Sequence, residues 1–485
     1  MRGTPYTAGP PSLRRRNAVH FVYRAHYIVA VSFTLGRPMA RTGTVRLGEG
    51  IRINDLINLG ALTTRVPMAE VHQVLEETGR ASERRRDLPA EVMVYYVIAL
   101  ALYRPEASRE VLRVLLEGFR ELLGLAVPLE PAGKSGISQA RSRLGEAPLE
   151  QLYRKVVHPI ATAETQGAFY RGRWLVVAVD GSTLEVPDTP ANREAFGLPY
   201  SERGESAYPR LRVVGLVETG THVLFGAAQG PYGTGEVTLA REVLKHLRPG
   251  MLCLADRYFY GYPLWKQASD TGADLLWRVR RNIRLPPEER LPDGSYLTRI
   301  YAKRDVLGRG IGEGIPVRVI EYLVTGRSKK PELYRLVTTI LDSEAAPAEE
   351  LAQLYLERWE FETTLDEFKT HLRGASTILR SMTPELARQE IWGLLLAHFA
   401  LRGLMHEAAL RGKHDPDRIS FIHSVRVVRR TLPRFAAFSP SGLGKSAPRR
   451  ARRDSPGDST APAQAKRQTG GEAKAEQVPS AQANG

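Results

Sequence analysis

Two short apolar runs, Trp174-Leu-Val-Val-Ala-Val-Asp180 and Met251-Leu-Cys-Leu-Ala-Asp256, constrain this chain more than any other feature. Each has the length of a buried strand, and each closes on an aspartate. Between them, Leu211–Glu218 and His222–Ala228 flank Thr219-Gly-Thr221 as a hairpin, and Glu236–Leu247 reads as a helix stopped by Pro249-Gly250. A helix near Tyr262–Thr271 then leads to the run Ala273–Val279. Strand, hairpin, helix, strand, helix, strand is a mixed α/β order with an antiparallel portion. An aspartate closing such a strand faces a crevice, although a lone one is commonly a turn former or helix cap.

From Arg52 to Thr165 the spacing is helical. Leu88-Pro-Ala-Glu91 opens the apolar helix Val92–Leu102, and Arg109–Leu123 turns Leu112, Leu115, Leu116, Phe119 and Leu122 inward. Lys134–Leu144 reads as a short helix carrying Gln139, Arg141 and Arg143. It is either the reader of a helix-turn-helix or a surface helix with solvated charges. Residues 281–345 alternate and are rich in Pro and Gly, as expected of a β-rich insertion. Helices resume over Ala348–Arg373 and Pro384–Leu410, and beyond Phe438 the composition is that of a disordered tail.

The net charge of +16 invites a nucleic-acid reading, but its distribution weakens it. Residues 1–48 hold eight arginines and no acid, and residues 440–485 hold eight basic and four acidic residues, so the central body carries only +4. Charge alone therefore does not establish specific DNA binding. The single cysteine, Cys253, cannot form an internal disulfide, which fits a reducing cytoplasm. Arg14-Arg15-Arg16 and the stretch His20–Phe33 superficially resemble a secretory leader, but Arg24 and two histidines interrupt it. Residues 1–38 are read as an upstream extension, with Met39 as the start of organised polypeptide. No run approaches the ~18 apolar residues of a membrane span.

Further downstream, Tyr355, Arg358, Glu362 and Lys369 share one helical stripe. At about 100° per residue, the last three lie about 60°, 20° and 40° to one side of Tyr355. One acid, two cations and a phenol make a poor core face and a good way to present a metal ligand beside phosphate-gripping groups. Asp366 lies about 20° from Tyr355, so periodicity leaves it open as the acid, whereas Glu357, Glu360 and Glu367 point away and read as solvated. Two strand-end acids and one helical acid can converge on divalent cations. Magnesium prefers such oxygen ligands, and two ions roughly 4 Å apart serve phosphodiester chemistry. Glu185 and Asp188 read as sheet-edge and loop residues. His222, His246 and His371 lack zinc-like spacing and read as structural.

The segments Asp180-Gly-Ser-Thr-Leu-Glu-Val-Pro-Asp-Thr-Pro-Ala-Asn and Asp256-Arg-Tyr-Phe-Tyr-Gly-Tyr-Pro-Leu-Trp, with the Tyr355/Arg358/Glu362/Lys369 pattern, resemble the bacterial DDE transposases of the insertion-sequence-four family. The resemblance spans roughly residues 40–435. It implies an α/β fold with a ribonuclease-H-like mixed-sheet core, a β-rich insertion and an N-terminal helical domain. The expected divisions are a basic extension (1–48), a helical DNA-binding domain (49–168), the core's first part (169–280), the insertion (281–345), the core's second part with C-terminal helices (346–437) and a disordered basic tail (438–485).

By the same resemblance, Asp180, Asp256 and Glu362 are the metal-binding catalytic triad, with Glu362 chosen over Asp366. The cofactor is Mg2+, two ions expected, for which Mn2+ substitutes. Tyr355, Arg358 and Lys369 contact phosphates of the transposon end. Arg257, beside Asp256, either joins these phosphate contacts or pairs with a surface acid, the second reading being preferred. Trp174, Trp265 and Trp392 read as core, and Trp359 as bordering the stripe. Family members can stack a flipped base on an aromatic ring of the insertion; here Tyr296, Tyr301, Tyr322 and Trp277 stay open for that role. The implied activity is cut-and-paste transposition: nicking, hairpin formation and joining to target DNA. The implied partners are double-stranded DNA with terminal inverted repeats, target DNA and a second copy of the chain, with no membrane. The alternatives are a catalytically silent DNA-binding descendant and a nuclease without strand transfer.

Overall fold

The computed structural model describes residues 64–82, 88–104, 106–123, 132–201, 204–305, 310–325, 331–372, 378–426 and the pair Glu476–Gln477. The expectations for residues 1–48 and for a start at Met39 lie outside these residues. So does the tail, apart from Glu476–Gln477, which pairs antiparallel with Tyr322 and Leu323.

The helical part comprises α1 (Met68–Glu77), α2 (Ala90–Leu102), α3 (Ser108–Leu123), α4 (Lys134–Leu144) and α5 (Ala147–Val156). Pro89 precedes α2 in an extended conformation and starts it, and twelve of its thirteen residues are buried. A helix apolar on every face must be enclosed on every face. One enclosing element is the long helix Pro384–Gly412, whose Gly393 lies on Val97 of α2. A Cβ at Gly393 would stand 2.7 Å from Val97 Cγ1 and 2.8 Å from the Val97 carbonyl oxygen. Gly393→Ala is therefore expected to push the helices apart and to cost ~1–3 kcal/mol. A lowered thermal midpoint checks this, and an unchanged midpoint contradicts it.

Leu112, Leu115 and Leu116 of α3 are buried as expected. Helix α4 departs from both of its readings at Arg141. That guanidinium is buried and donates to Gln389 Oε1 (2.8 Å), Ser381 Oγ (3.0 Å) and the Leu386 carbonyl (3.0 Å). It clamps α4 to the long helix and is neither a base reader nor a solvated charge. Gln139 and Arg143 remain exposed. Arg104 adds a second clamp through a buried ion pair with Glu390 at 3.0 Å.

The sheet begins with β1 (Phe169–Tyr170) and β2 (Trp174–Glu185), followed by α6 (Pro190–Phe196) and a small hairpin, β3 (Tyr200–Ser201) with β4 (Gly204–Glu205). Then come β5 (Arg210–Glu218), β6 (Val223–Pro231), α7 (Glu236–Val243), β7 (Met251–Ala255), α8 (Tyr262–Ser269) and β8 (Asp274–Arg278). The order across this half is β6-β5-β2-β7-β8. The β2–β7 and β7–β8 pairs are parallel, and β5 and β6 are antiparallel additions beside β2. Val176, Val177, Leu252 and Cys253 are buried, as the continuous apolar runs of central parallel strands require.

The β-rich segment supplies β9 (Glu289–Arg290), β10 (Tyr296–Ile300), β11 (Lys303–Arg304), β12 (Gly310–Ile311), β13 (Ile315–Thr325) and β14 (Pro331–Thr338). β14 pairs antiparallel with β8, so these strands continue the same sheet beyond β8. Arg318, fully buried, ties them down by donating to Ser295 Oγ (2.7 Å) and the Ala346 carbonyl (2.7 Å). No described helix is long and apolar enough to cross a membrane.

Candidate active site

Val179 pairs with Ala255 in the parallel β2–β7 ladder, which makes Asp180 and Asp256 the next pair in register. Neighbouring strands lie about 4.8 Å apart, so the two aspartates follow adjacent ladder positions, and the Asp256 charge acts on Asp180. The expected strand end at Asp180 is corrected: β2 runs on to Glu185 because β5 continues to pair with it, Asp180 facing Gly215. It is β7 that stops, at Ala255.

The downstream acid arrives on a segment that changes pitch three times. Ala348–Leu354 is α9, Tyr355–Trp359 a 3-10 turn, Glu360–Asp366 is α10, and Glu367–Leu372 is a π turn. A uniform 100° step therefore fails across it, since 3-10 turns are tighter and π turns wider. Tyr355 is buried and its hydroxyl donates to the Ala255 carbonyl at 3.1 Å. It pins the segment to the end of β7, one residue from Asp256, and its hydroxyl does not face the surface as a phosphate contact would. Burial holds the phenol well above its ordinary range.

Arg358 is also buried, with Nη1 donating to Asp180 Oδ2 at 3.1 Å and Nη2 lying 4.0 Å from Glu362 Oε1. One guanidinium thus bridges the first and third acids. Asp366 pairs instead with His371 at 3.2 Å. Lys369 Nζ contacts Ser182 Oγ on β2. Trp359 is exposed, with the Arg358 guanidinium 4.5 Å from its ring centre.

Burial pushes the Asp180 carboxyl up to about 7; Glu236 and Asp256 add to the rise, while Arg358 and the Gly181 N–H oppose it. Burial likewise raises Glu362, with Asp256 adding and Arg358 opposing. The three acids therefore share one electrostatic neighbourhood. Among the described residues, however, their ligand atoms do not all close to within 4.8 Å of one another; a different trio does. As a donor set of carboxylate oxygens, with one arginine among them, they suit a hard divalent cation.

Sequence reasoning missed Glu236, the first residue of α7. Its side chain packs where a Cβ on Gly181 would sit, 2.8 Å from Glu236 Cγ, and it pairs with Arg212. Glycine next to Asp180 was the available signal. Glu185 pairs with Arg210 at 3.1 Å and Asp188 pairs with Arg193, in keeping with edge and loop roles.

Several aromatic and charged expectations are corrected. Trp277 is fully buried, its ring edge-on to Trp265 at 5.2 Å, and Tyr296 and Tyr322 are buried. None of the three can stack a base as placed. Tyr258, two residues after Asp256, is the ring that is exposed there, with Arg257 and Arg280 at 5.7 and 5.4 Å from its centre. Arg257 thus lies near an aromatic face, and no acid partner is found for it among the described residues. Trp174, Trp265 and Trp392 are core as expected. Glu367, expected in solvent, is buried against Arg402, His222 and His398.

An aspartate within β2, another just past the end of the parallel β7 and a glutamate on a segment pinned beside them suit a class, the DDE-type enzymes. Residues 56–154 match the family described as insertion element 4 transposase N-terminal, and residues 171–400 match the transposase DDE domain. The chain belongs to the insertion-sequence-four family of DDE transposases. It is 28% identical over 382 residues to the transposase InsG for insertion sequence element IS4 of Escherichia coli (strain K12), covering 77% of this chain and 83% of that one. InsZ of the same organism is 29% identical over 218 residues, 44% of this chain and 68% of that one. A piggyBac transposase synaptic complex with hairpin DNA covers 81% of this chain and 84% of that chain, at 13% identity and a TM-score of 0.41.

Proposed function

We propose that this chain cuts transposon ends and joins them to target DNA, with Asp180, Asp256 and Glu362 as the catalytic and metal-holding residues. The observation that supports this most is the parallel β2–β7 register, whose last pair, Val179 with Ala255, is followed on the two chains by Asp180 and Asp256, next to the segment carrying Glu362. The strand order β6-β5-β2-β7-β8, with parallel pairing only from β2 through β8, also supports a ribonuclease-H-like core. Two magnesium ions, for which manganese substitutes, would when bound activate the attacking hydroxyl and steady the leaving oxygen.

The chain's own residues do the rest. Asp180 and Asp256 hold their carboxylates rigidly because each continues a ladder strand. Tyr355 acts as a positioning residue, fixing the Glu362 segment against the end of β7. Arg358 pairs with Asp180 before DNA arrives and then exchanges that partner for a phosphate of the transposon end. Lys369 supplies a second cation from the neighbourhood of Ser182. Tyr258 and Trp359 offer exposed rings beside arginines for nucleotide contacts. Terminal inverted repeats are the DNA substrate, and a homodimer brings two ends together.

The test is incubation of the full chain with Mg2+ and a duplex carrying the element's own terminal repeat. Nicks at the end, then hairpins and joined products, are expected. Nicks without hairpin or joined products would reduce the activity to that of a nuclease. Binding without any cleavage would leave a silent DNA-binding protein.

A further inference from the structure

The charged groups around His222 are not used by this mechanism. His222 ends the tight link between β5 and β6 and holds a left-handed φ of 58°. Such a backbone is strained for a non-glycine residue and is retained where the side chain is needed. The ring is buried, and its Nε2 lies 3.1 Å from Glu360 Oε2 and 3.0 Å from Asp417 Oδ1. One ring nitrogen can donate one proton, yet two carboxylates face it. Asp417 Oδ1 is buried and accepts no hydrogen bond.

We propose that His222 Nε2, Glu360 and Asp417 form a second, structural metal site that takes a zinc-type divalent ion, separate from the catalytic acids. Two observations carry this. First, their ligand atoms all lie within 4.8 Å of one another. Zinc bonds of about 2.0–2.1 Å give tetrahedral edges of about 3.3 Å, close to the 3.0 and 3.1 Å separations from Nε2. Second, His222 Nδ1 lies 3.2 Å from Glu367 Oε1, the carboxylate partner that orients a metal-bound imidazole. Arg402 Nη2 contacts His222 Nδ1 as well as Glu367 Oε1, and its Nε donates to Glu367 Oε2, so Glu367 is held ionised and in place. Around the site, Glu360, Glu367 and Asp417 face Arg402, His222 and His398.

An imidazole with two carboxylates suits zinc and is a poor set for magnesium, which keeps to oxygen. Because Glu360 lies two residues before Glu362, the ion would fasten the Glu362 segment to the β5–β6 link and to the 416–418 turn. The inference concerns bound metal alone and holds whether or not the chain cuts DNA.

The test uses the full chain carrying Asp180→Asn and Asp256→Asn, so that the catalytic acids cannot supply the binding. After chelator treatment, equilibrium dialysis against Zn2+ is expected to return one zinc per chain, with a thermal midpoint several degrees higher, and millimolar Mg2+ should not displace it. Adding Asp417→Asn is expected to weaken zinc binding at least tenfold and to remove the midpoint rise, with circular dichroism verifying the fold. Glu360→Gln serves in its place if that protein does not fold. No zinc in the doubly substituted protein, or one zinc that survives loss of the ligand carboxylate, overturns the site.

Discussion

Asp180→Asn is expected to slow cleavage of terminal-repeat DNA by ~10³-fold or more, equivalent to about 4 kcal/mol of lost transition-state stabilisation. The amide keeps the shape and loses the charge that holds a divalent cation. Single-turnover cleavage measures it, and a loss under tenfold would remove Asp180 from the reaction.

The wild-type pH profile carries a linked expectation. Proton and metal compete for the Asp180 carboxylate, which burial pushes up to about 7. Metal affinity should therefore climb about tenfold per pH unit up to about 7 and level above it. The sign for stability is opposite. As pH rises from the ordinary aspartate range towards 7, the unfolded chain ionises first, so the metal-free fold loses stability over that window. Arg358→Gln removes a cation that opposes the rise, so the acid limb should move to higher pH.

Arg402→Met is expected to be the most destabilising single change in the core, at ~3–5 kcal/mol. Arg402 is 1% exposed and carries the positive charge against Glu367, whose carboxyl Arg402 and His222 together hold well below the usual range despite burial. Removing the guanidinium leaves an ionised group enclosed with two histidines and two further acids. Adding Glu367→Gln should recover part of the loss, because the stranded charge goes with it. Denaturant unfolding decides this, and a midpoint equal to wild type would contradict the pairing.

Much of the fold was legible because it rests on local patterns. The runs ending at Asp180 and Asp256, the all-apolar helix after Pro89 and the alternating 281–345 segment each declare themselves within about ten residues. The acid pair was legible as two candidates, but their adjacency came from a parallel register that no local pattern encodes. The stripe arithmetic failed where helix type changed: Glu367, assigned to solvent on a uniform pitch, sits at the start of the π turn and faces the core. His222 was read as structural because its partners, Glu360 and Asp417, lie 138 and 195 positions away, beyond any spacing rule. Helix α4 taken alone leaves Arg141 open between a DNA reader and a solvated charge, because the long helix that buries it lies some 245 positions downstream.

The most direct test is a crystal structure of the protein with its own terminal-repeat duplex and Mn2+, read by anomalous scattering. Manganese between Asp180 and Asp256, with Glu362 drawn in and Arg358 moved from Asp180 to a DNA phosphate, is the predicted result. Manganese elsewhere, with Arg358 still bridging Asp180 and Glu362 beside bound DNA, would contradict the account.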